Sequence, residues 1–372
     1  MLPAHVSWKQ QLQLAIRSLT QLERFIDLTE QERRGVQRLA SQCHASGGSM
    51  PLQITPYYLS LCDKRDPACP IRMQCIPRDL EAKVVQGDRL DPLGEKDHEV
   101  APRLIRRYPD RALLLVTSNC ATYCRFCTRA RMVSAANGYC GMGELEPAFA
   151  WLDEHPQVRE LLLSGGDPLV ASNERLTTLL DRVCRIASIE VIRIGSRVPT
   201  VLPMRVDDEL VRTLRCEKPV WLMSHFNHPK ELTAQAKEAL TKLADGGIPV
   251  MNQTVMLRGI NDDCRTLSEL FRGLVAARAR PYYLLHADVM QGTSHFRTTI
   301  ADSIRVFSRL QGTLSGIALP KLIVDVPGGR GKVPIGPSTI VASGQGWTDL
   351  KTFRGEVVRV LDVMDDPEQG AL

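Results

Sequence analysis

Short apolar runs alternate with helix-like stretches through the middle of this chain, and this alternation limits the possible folds more than any other feature. The runs typical of buried strands are Ala112–Val116, Val158–Leu163, Glu190–Ile194, Val220–Met223, Val250–Val255 and Arg280–Leu285. Stretches with helical periodicity follow several of them, as at Asn173–Ile186, Lys230–Ala244 and Leu267–Ala277. Strand–helix repeats of this kind predict parallel strands with helices outside them. Six repeats are too few to close a regular eight-stranded barrel.

Polar residues follow these predicted strands where each strand ends. Ser164-Gly165-Gly166-Asp167 follows the second strand, and His225 follows the fourth. Gln253 lies at the end of the fifth strand, and Asp288 follows the sixth. The carboxyl ends of parallel strands meet on one face of such folds, where ligands bind. Taken singly, each of these features is equally compatible with a tight turn or with a hydrogen-bonded structural polar group.

A loop with three closely spaced cysteines follows the first predicted strand. Residues 117–132 read TSNCATYCRFCTRARM and contain Cys120, Cys124 and Cys127. Three thiolates on one loop can hold three irons of a 4Fe-4S cluster and leave the fourth iron open to another ligand. A zinc site normally needs four protein ligands, or three and a water, and this loop has a single Cys-x-x-Cys pair and no histidine. The loop therefore favours an iron–sulfur cluster.

Composition and cysteine usage predict a cytoplasmic protein. Eleven cysteines without a visible signal peptide indicate a reducing compartment. Cys62, Cys69 and Cys75 lack the close pairing of a zinc knuckle, so we expect free thiols there. The net charge is only +5, and basic and acidic residues are interleaved, which argues against nucleic acid as a partner. No apolar run is long enough to span a bilayer, so no membrane association is expected.

The ends of the chain differ in pattern from the middle. Helical periodicity extends from Trp8 to Ser41, and Thr29 with Glu32 predicts a capping box. We divide the chain into an N-terminal helical appendage over residues 1–103, a partial barrel over 104–318 and a C-terminal segment over 319–372. Gly344–Val363 has the pattern of a small strand-rich tail.

The C-terminal segment contains a glycine-rich turn that ends in a lysine. A predicted strand, Leu322–Pro327, precedes Gly328-Gly329-Arg330-Gly331-Lys332. The amine of Lys332 could form a Schiff base with the aldehyde of pyridoxal 5′-phosphate (PLP), and the glycines would leave room for it. A Walker phosphate loop is excluded, because that motif continues into a helix and Val333-Pro334 follows here. Upstream, Arg107 and Arg111 fit either a phosphate-binding pair or a solvated charge run.

The cysteine spacing resembles that of the radical S-adenosylmethionine (SAM) enzymes. The flanking residues Tyr123–Arg129, and several later segments, are similar to the lysine 2,3-aminomutase family over nearly the whole chain. This resemblance implies an α/β fold: a partial (β/α)6 radical SAM barrel with an N-terminal helical appendage and a small C-terminal PLP-lysine segment. It also implies three cofactors, namely a 4Fe-4S cluster, SAM and PLP.

The resemblance implies a role for each matching residue. Cys120, Cys124 and Cys127 would ligate the cluster. SAM would contact Ser164, Gly165, Gly166, Asp167, His225 and Gln253. Lys332 would be the catalytic lysine that holds PLP, and Arg107 and Arg111 would bind its phosphate. The substrate carboxylate would pair with Arg129, and its distal ammonium with Asp288 and Asp325.

The implied activity is that of an isomerase that moves the α-amino group of L-lysine to the β-carbon. Two converging carboxylates repel each other unless a cation lies between them, so Asp288 and Asp325 favour a basic amino acid over glutamate. An aminomutase acting on arginine or another basic amino acid, and a homologue that modifies protein-bound lysine, remain alternatives. Two others are a SAM-binding iron–sulfur protein without aminomutase activity and a radical SAM enzyme that does not use PLP.

The expected partners follow from the same resemblance. They are a small basic amino acid, an electron donor of the flavodoxin or ferredoxin type, and further copies of the chain in a dimer or tetramer. The best-known family members bind zinc across subunits through a C-terminal cysteine cluster. No cysteine follows Cys264 here, so we expect a homo-oligomer without that zinc interlock.

Overall fold

The computed structural model describes residues 6–42, 50–133 and 138–361. Its centre is a ten-stranded sheet whose spatial order follows the chain. The strands are β1 (Glu99–Ala101), β2 (Leu104–Ile105), β3 (Arg111–Thr117), β4 (Glu160–Gly165), β5 (Val191–Gly195), β6 (Val220–Ser224), β7 (Val250–Met256), β8 (Ala279–His286), β9 (Lys321–Val326) and β10 (Gly331–Pro334). Strands β3 to β9 are parallel to one another. Antiparallel pairing adds β2 and β1 at the β3 edge and β10 at the β9 edge.

All six strands predicted for the middle of the chain are present as β3 to β8, which confirms the α/β parallel-sheet prediction. The predicted strand Leu322–Pro327 is β9, and it pairs in parallel with β8, with Tyr283 opposite Lys321. The sheet therefore continues past residue 318, and β9 covers the edge that β8 would otherwise expose. Within the described ranges, β10 does not pair with β1, so the sheet stays open.

Thirteen α-helices accompany the sheet in the described ranges. They are α1 (Trp8–Gln13), α2 (Leu19–Glu23), α3 (Glu30–Gln42), α4 (Pro56–Ser60), α5 (Pro70–Cys75), α6 (Ala130–Val133), α7 (Met142–Asp153), α8 (Asn173–Cys184), α9 (Val198–Val201), α10 (Asp208–Leu214), α11 (Ala234–Asp245), α12 (Cys264–Ala276) and α13 (Ile300–Leu310). Helix α11 begins four residues later than the predicted Lys230, because Thr233 caps it. Helix α12 begins before the predicted Leu267, because the side chain of Asp263 caps it by accepting from the Thr266 amide.

The N-terminal helices share one hydrophobic core with the sheet. Leu22, Ile54 and Tyr58 belong to the same buried cluster as Leu114 and Leu222. The predicted capping box is confirmed: Glu32 accepts from the Thr29 amide at 2.8 Å, and Thr29 Oγ1 accepts from the Glu32 amide at 3.3 Å. Glu32 also binds Arg72 on α5 at 2.6 Å, with both side chains fully buried. Apolar packing thus fixes the appendage to the sheet, and the buried ion pair joins two helices within the appendage.

The C-terminal tail forms a separate antiparallel sheet. Its strands are β11 (Ile340–Gly344), β12 (Trp347–Lys351) and β13 (Val357–Leu361). This confirms the strand-rich prediction as far as residue 361; residues 362 and 363 lie outside the described part. None of the helices in the described ranges is long and apolar enough to cross a membrane.

Candidate active site

The three cysteines of the motif lie on the loop that follows β3. Each is half-buried. Burial raises the pKa of Cys120 well above its usual range, and the charges of Asp167, Cys127 and Cys124 add to this effect. Burial likewise raises the pKa of Cys124. It raises the pKa of Cys127 to about 11, and the charge of Cys124 adds to that rise. The three thiols therefore lie close enough to influence one another, in a site that disfavours their anionic forms unless a metal cation compensates.

The donor set suits a group larger than one metal ion. Among the described residues, no three histidine, cysteine, aspartate or glutamate side chains converge closely enough to hold a single ion. In a 4Fe-4S cluster each thiolate binds a different iron, so the sulfurs need not converge on one point. Three neighbouring thiols on a single loop therefore fit the cluster better than they fit zinc.

The two glycines at the end of β4, Gly165 and Gly166, support the cysteine loop. The Gly166 amide donates to the Thr117 carbonyl at 2.6 Å, and the Asp167 amide donates to the Asn119 carbonyl at 2.7 Å. A Cβ on Gly165, where φ is +114°, would lie 2.3 Å from the Thr117 oxygen. A Cβ on Gly166 would lie 2.2 Å from the Asn119 oxygen. Side chains at either position would push the loop away, so the glycines allow two backbones to touch.

Asp167 uses both carboxylate oxygens within the protein. It accepts from Ser196 Oγ and from the Arg197 amide, each at 2.7 Å, and from the Leu169 amide at 3.1 Å. Burial raises its pKa, while these hydrogen bonds oppose the rise. Asp167 thus joins the loops after β4 and β5. Its contact with SAM stays a prediction.

His225 directly follows β6. Gln253 lies in the middle of β7, so the prediction that it ends this strand is wrong, because β7 pairs with β8 as far as Met256. The His225 ring is 5.5 Å from the Phe126 ring of the cysteine loop, and its Nε2 is 3.2 Å from Asn227 Oδ1. Burial, with the nearby charge of Arg197, lowers the pKa of His225 to about 3, so the ring is neutral at physiological pH. Gln253 is half-buried on β7, opposite Tyr283 of β8.

Arg197 is a residue of this site to which the sequence analysis assigned no role. Its Nη1 lies 2.7 Å from Cys124 Sγ. Its Nη2 donates to Tyr58 Oη at 2.8 Å, and to Gln74 Oε1 and Glu231 Oε1, each at 2.7 Å. In the sequence, only the position of Arg197 directly after a predicted parallel strand pointed to this site. Its partners come from distant segments and could not be identified.

Lys332, Arg107 and Arg111 assemble around one aspartate and one tyrosine. Lys332 Nζ donates to Asp325 Oδ2, and Arg107 Nη1 donates to Asp325 Oδ1 at 3.2 Å. Tyr108 Oη accepts from the Lys332 amide at 2.9 Å, and the Arg111 guanidinium lies 3.8 Å from the centre of the Tyr108 ring. One amine and two guanidinium groups in one place fit an aldehyde with a phosphate, as PLP has.

Asp288 and Asp325 lie in the same charge cluster. Burial and the charge of Asp325 raise the pKa of Asp288 to about 7, while Lys332, Arg107 and Arg129 act against the rise. The pKa of Asp325 is lowered: burial would raise it, but Lys332 and Arg107 outweigh that effect. The two carboxylates are thus close enough to influence each other. Their contact with a substrate stays a prediction.

Arg129 is held by a buried glutamate that the sequence analysis did not identify. Its Nη2 lies 2.7 Å from Glu95 Oε1, and its Nη1 donates to Ser164 Oγ at 3.4 Å. Arg131 pairs with the same Glu95 at 3.3 Å and with Asp91 at 3.0 Å. Glu95 lies in a connecting segment without a recognisable motif, so nothing in the sequence indicated it.

Comparison with known proteins identifies similar chains. A family profile described as lysine-2,3-aminomutase matches residues 307–369. The chain is 41% identical to an L-lysine 2,3-aminomutase of Fusobacterium nucleatum, over 97% of this chain and 82% of that protein. It is 35% identical to a glutamate 2,3-aminomutase of Clostridioides difficile, over 96% of this chain and 82% of that protein. A crystal structure of a radical SAM methyltransferase from Sphaerobacter thermophilus is 18% identical, with a TM-score of 0.45, over 59% of this chain and 68% of that one.

Proposed function

Because the chain belongs to the lysine 2,3-aminomutase family, we propose that it moves the α-amino group of L-lysine to the β-carbon, with a 4Fe-4S cluster, SAM and PLP as cofactors. The observation that carries this proposal is the convergence of Asp288, Asp325 and Lys332. Two carboxylates beside a lysine amine suit a substrate that brings a second ammonium group. The catalytic lysine would be Lys332.

The substrate ammonium is assigned to the two aspartates. The half-buried Asp288, whose pKa is raised to about 7, is under-compensated by cations, since desolvation and the charge of Asp325 both disfavour its ionised form. An ammonium between the carboxylates would restore the ionised form of Asp288. Asp325, which now binds the Lys332 ammonium, would exchange it for that of the substrate. The exchange replaces one cation by another beside Asp325.

The substrate carboxylate is assigned to Arg129. Its guanidinium is oriented by Glu95 and is near enough to Asp288 to affect the pKa of that carboxyl. A planar guanidinium suits a carboxylate because it can donate two parallel hydrogen bonds. The cation at Arg129 and the aspartate pair would bind opposite ends of one small amino acid.

PLP, when bound, supplies an aldehyde for amines and an electron sink for the migrating group. Lys332 would hold it, and Arg107 and Arg111 would bind its phosphate. Arg111 stacks on Tyr108, and the Tyr108 hydroxyl accepts from the Lys332 amide. These contacts hold the hairpin of β9 and β10 against the segment that contains Arg107 and Arg111. Arg107 would then leave Asp325 for the phosphate.

Cys120, Cys124 and Cys127 would hold the 4Fe-4S cluster, which together with SAM would supply one-electron radical chemistry. The protein's part is to hold the loop and exclude water. Gly165 and Gly166 fix the loop through backbone contacts, and we assign SAM to this region with Ser164, Asp167, His225 and Gln253. The donor of that electron would be a flavodoxin or ferredoxin. A dimer or tetramer, and a cytoplasmic location, stay predictions.

Glutamate is the rival substrate that the relatives raise, since one of them is a glutamate 2,3-aminomutase. A glutamate side chain would bring a third carboxylate to Asp288 and Asp325, and like charges at that distance repel. Lysine is therefore preferred. The arginine side chain also ends in a cation. Arginine and a lysine-containing peptide are therefore included as substrates in the test below.

The test is an anaerobic assay with reconstituted cluster, PLP, SAM and dithionite. Lysine, arginine, ornithine, glutamate and the peptide are offered separately, and the products are identified by chromatography and mass spectrometry. We expect β-lysine from lysine, no product with the Lys332→Ala variant, and normal turnover with Lys321→Ala, an exposed lysine on β9. Cleavage of SAM without conversion of any of these substrates would refute the proposed aminomutase activity on lysine.

A further inference from the structure

Arg197 joins the cysteine loop to a buried polar network. Its Nη1 lies 2.7 Å from the sulfur of Cys124, and the residue is 7% exposed. A guanidinium cannot lose its proton at any pH that a protein tolerates. The contact therefore places a permanent cation and an N–H donor against one of the three thiols of the motif.

The guanidinium is fixed from several directions. Nη2 donates to Tyr58 Oη at 2.8 Å, and to Gln74 Oε1 and Glu231 Oε1 at 2.7 Å each. The rings of Tyr58 and Phe126 lie 5.2 Å and 5.3 Å from the guanidinium carbon. Swinging the side chain away would break these contacts inside the protein, where nothing replaces them.

The same network holds the backbone on both sides of Cys124. The Arg197 amide donates to Asp167 Oδ2 at 2.7 Å, and the amide of Asp167 donates to the Asn119 carbonyl in the loop. The Arg125 amide donates to the Gln74 carbonyl at 2.9 Å. The position of Arg197 relative to Cys124 is thus set by the fold and does not depend on a flexible surface side chain.

A fixed cation at a ligating sulfur affects electron transfer. One-electron reduction adds negative charge to an iron–sulfur cluster, and donors to the ligand sulfurs stabilise the reduced form. We propose, resting on the function proposed above, that Arg197 is a positioning residue that raises the reduction potential of the cluster by donating to Cys124 Sγ. Glu231, the buried carboxylate that pairs with Arg197, limits this effect.

The experiment compares midpoint potentials of reconstituted protein by dithionite titration with electron paramagnetic resonance detection. Arg197→Met removes the donor and its charge, so we expect the equilibrium constant for reduction to fall about tenfold, or about 59 mV for one electron. Glu231→Gln removes the opposing negative charge, so the midpoint potential of the cluster in that variant should become more positive. Arg205→Met is the matched control. Arg205 is also buried but donates to the carbonyls of Leu169 and Ala171 and to Asn173, so the midpoint potential of the cluster should not change in that variant.

A merely structural role of these residues would lower stability in every variant and leave the midpoint potential unchanged. Shifts of opposite sign in Arg197→Met and Glu231→Gln therefore cannot come from such a role. An Arg197→Met protein that keeps its cluster at the wild-type potential would overturn the inference. If that variant does not retain a cluster, Glu231→Gln decides alone, and an unchanged or more negative potential overturns it. Wild-type protein that binds no cluster would overturn the proposed function as well, so the two failures are distinguishable.

Discussion

Lys332 and Asp325 lie directly opposite each other on the hairpin of β9 and β10, and the Lys332 amine donates to the Asp325 carboxylate. Gly328 and Gly329 adopt positive φ values of +81° and +76° in the turn between them, which brings the two residues into register. Arg107 reaches the same carboxylate from the segment before β3. One carboxylate thus holds the cation assigned to catalysis and a cation assigned to phosphate binding.

Asp288→Asn should weaken lysine binding without disturbing Lys332. The substitution keeps the size of the side chain and removes one of two charges assigned to the substrate ammonium. We expect the KM for lysine to rise by at least about tenfold, since hydrogen bonds to charged groups contribute roughly 1.5–3 kcal/mol. Asp208→Asn, at a carboxylate 76% exposed on α10, is the control and should leave KM unchanged. An unaltered KM in Asp288→Asn would place the ammonium elsewhere.

Stability should depend on pH through Asp288. Burial and the charge of Asp325 raise its pKa from 3.8 to about 7, so between those values the folded state binds more protons than the unfolded state. The stability of the substrate-free protein should therefore fall as pH rises from about 4 to about 7, by about 1.4 kcal/mol per unit of pKa shift at most. Urea denaturation at pH 5 and pH 7.5 measures this. The free energies of unfolding at pH 5 and pH 7.5 should differ less in Asp288→Asn than in the wild type. An equal difference in both proteins would contradict the role of Asp288 in this pH dependence.

Gly166→Ala should prevent cluster assembly. The new methyl group would meet the Asn119 carbonyl oxygen at 2.2 Å, so the cysteine loop must shift. We expect iron and sulfide content to fall to a small fraction of the wild-type value. Gly143→Ala on α7 is the matched control, because nothing lies within 4 Å of the added carbon. That variant should keep its cluster and gain up to about 1 kcal/mol from helix propensity.

Arg72→Met should destabilise the fold strongly. Arg72 and Glu32 form an ion pair with 0% and 1% of their side chains exposed, so the substitution leaves a buried carboxylate without its partner. The free energy of unfolding should fall by about 3–5 kcal/mol. Replacing both residues, as Arg72→Met with Glu32→Leu, should recover only part of the loss, because Thr29 still loses its capping partner and the carbonyls of Asp27 and Asp63 lose their hydrogen bonds to Arg72. Urea denaturation of the single and double variants tests this, and equal losses in both would mean that the pair stabilises the fold by another route.

Local patterns predicted the elements of this fold well. Apolar runs identified β3 to β8, since a buried strand needs a continuous apolar segment whatever its neighbours are. The capping box of Thr29 and Glu32 was predictable because its partners are three residues apart. Helix starts were less accurate at α11 and α12, because the caps Thr233 and Asp263 lie outside the periodic pattern.

The sequence by itself determined which groups are available: three thiols on one loop, a lysine after a glycine turn, and carboxylates at strand ends. These are local facts, because each depends on residues close together in the chain. Only the tertiary structure decided how they are paired. Arg107 meets Asp325 across 218 positions, and Arg197 meets Gln74 across 123. Such pairs form because folding brings the segment before β3 to the end of β9, and helix α5 to the loop after β5. A sequence pattern does not encode which side chains from such distant segments then lie within hydrogen-bond distance.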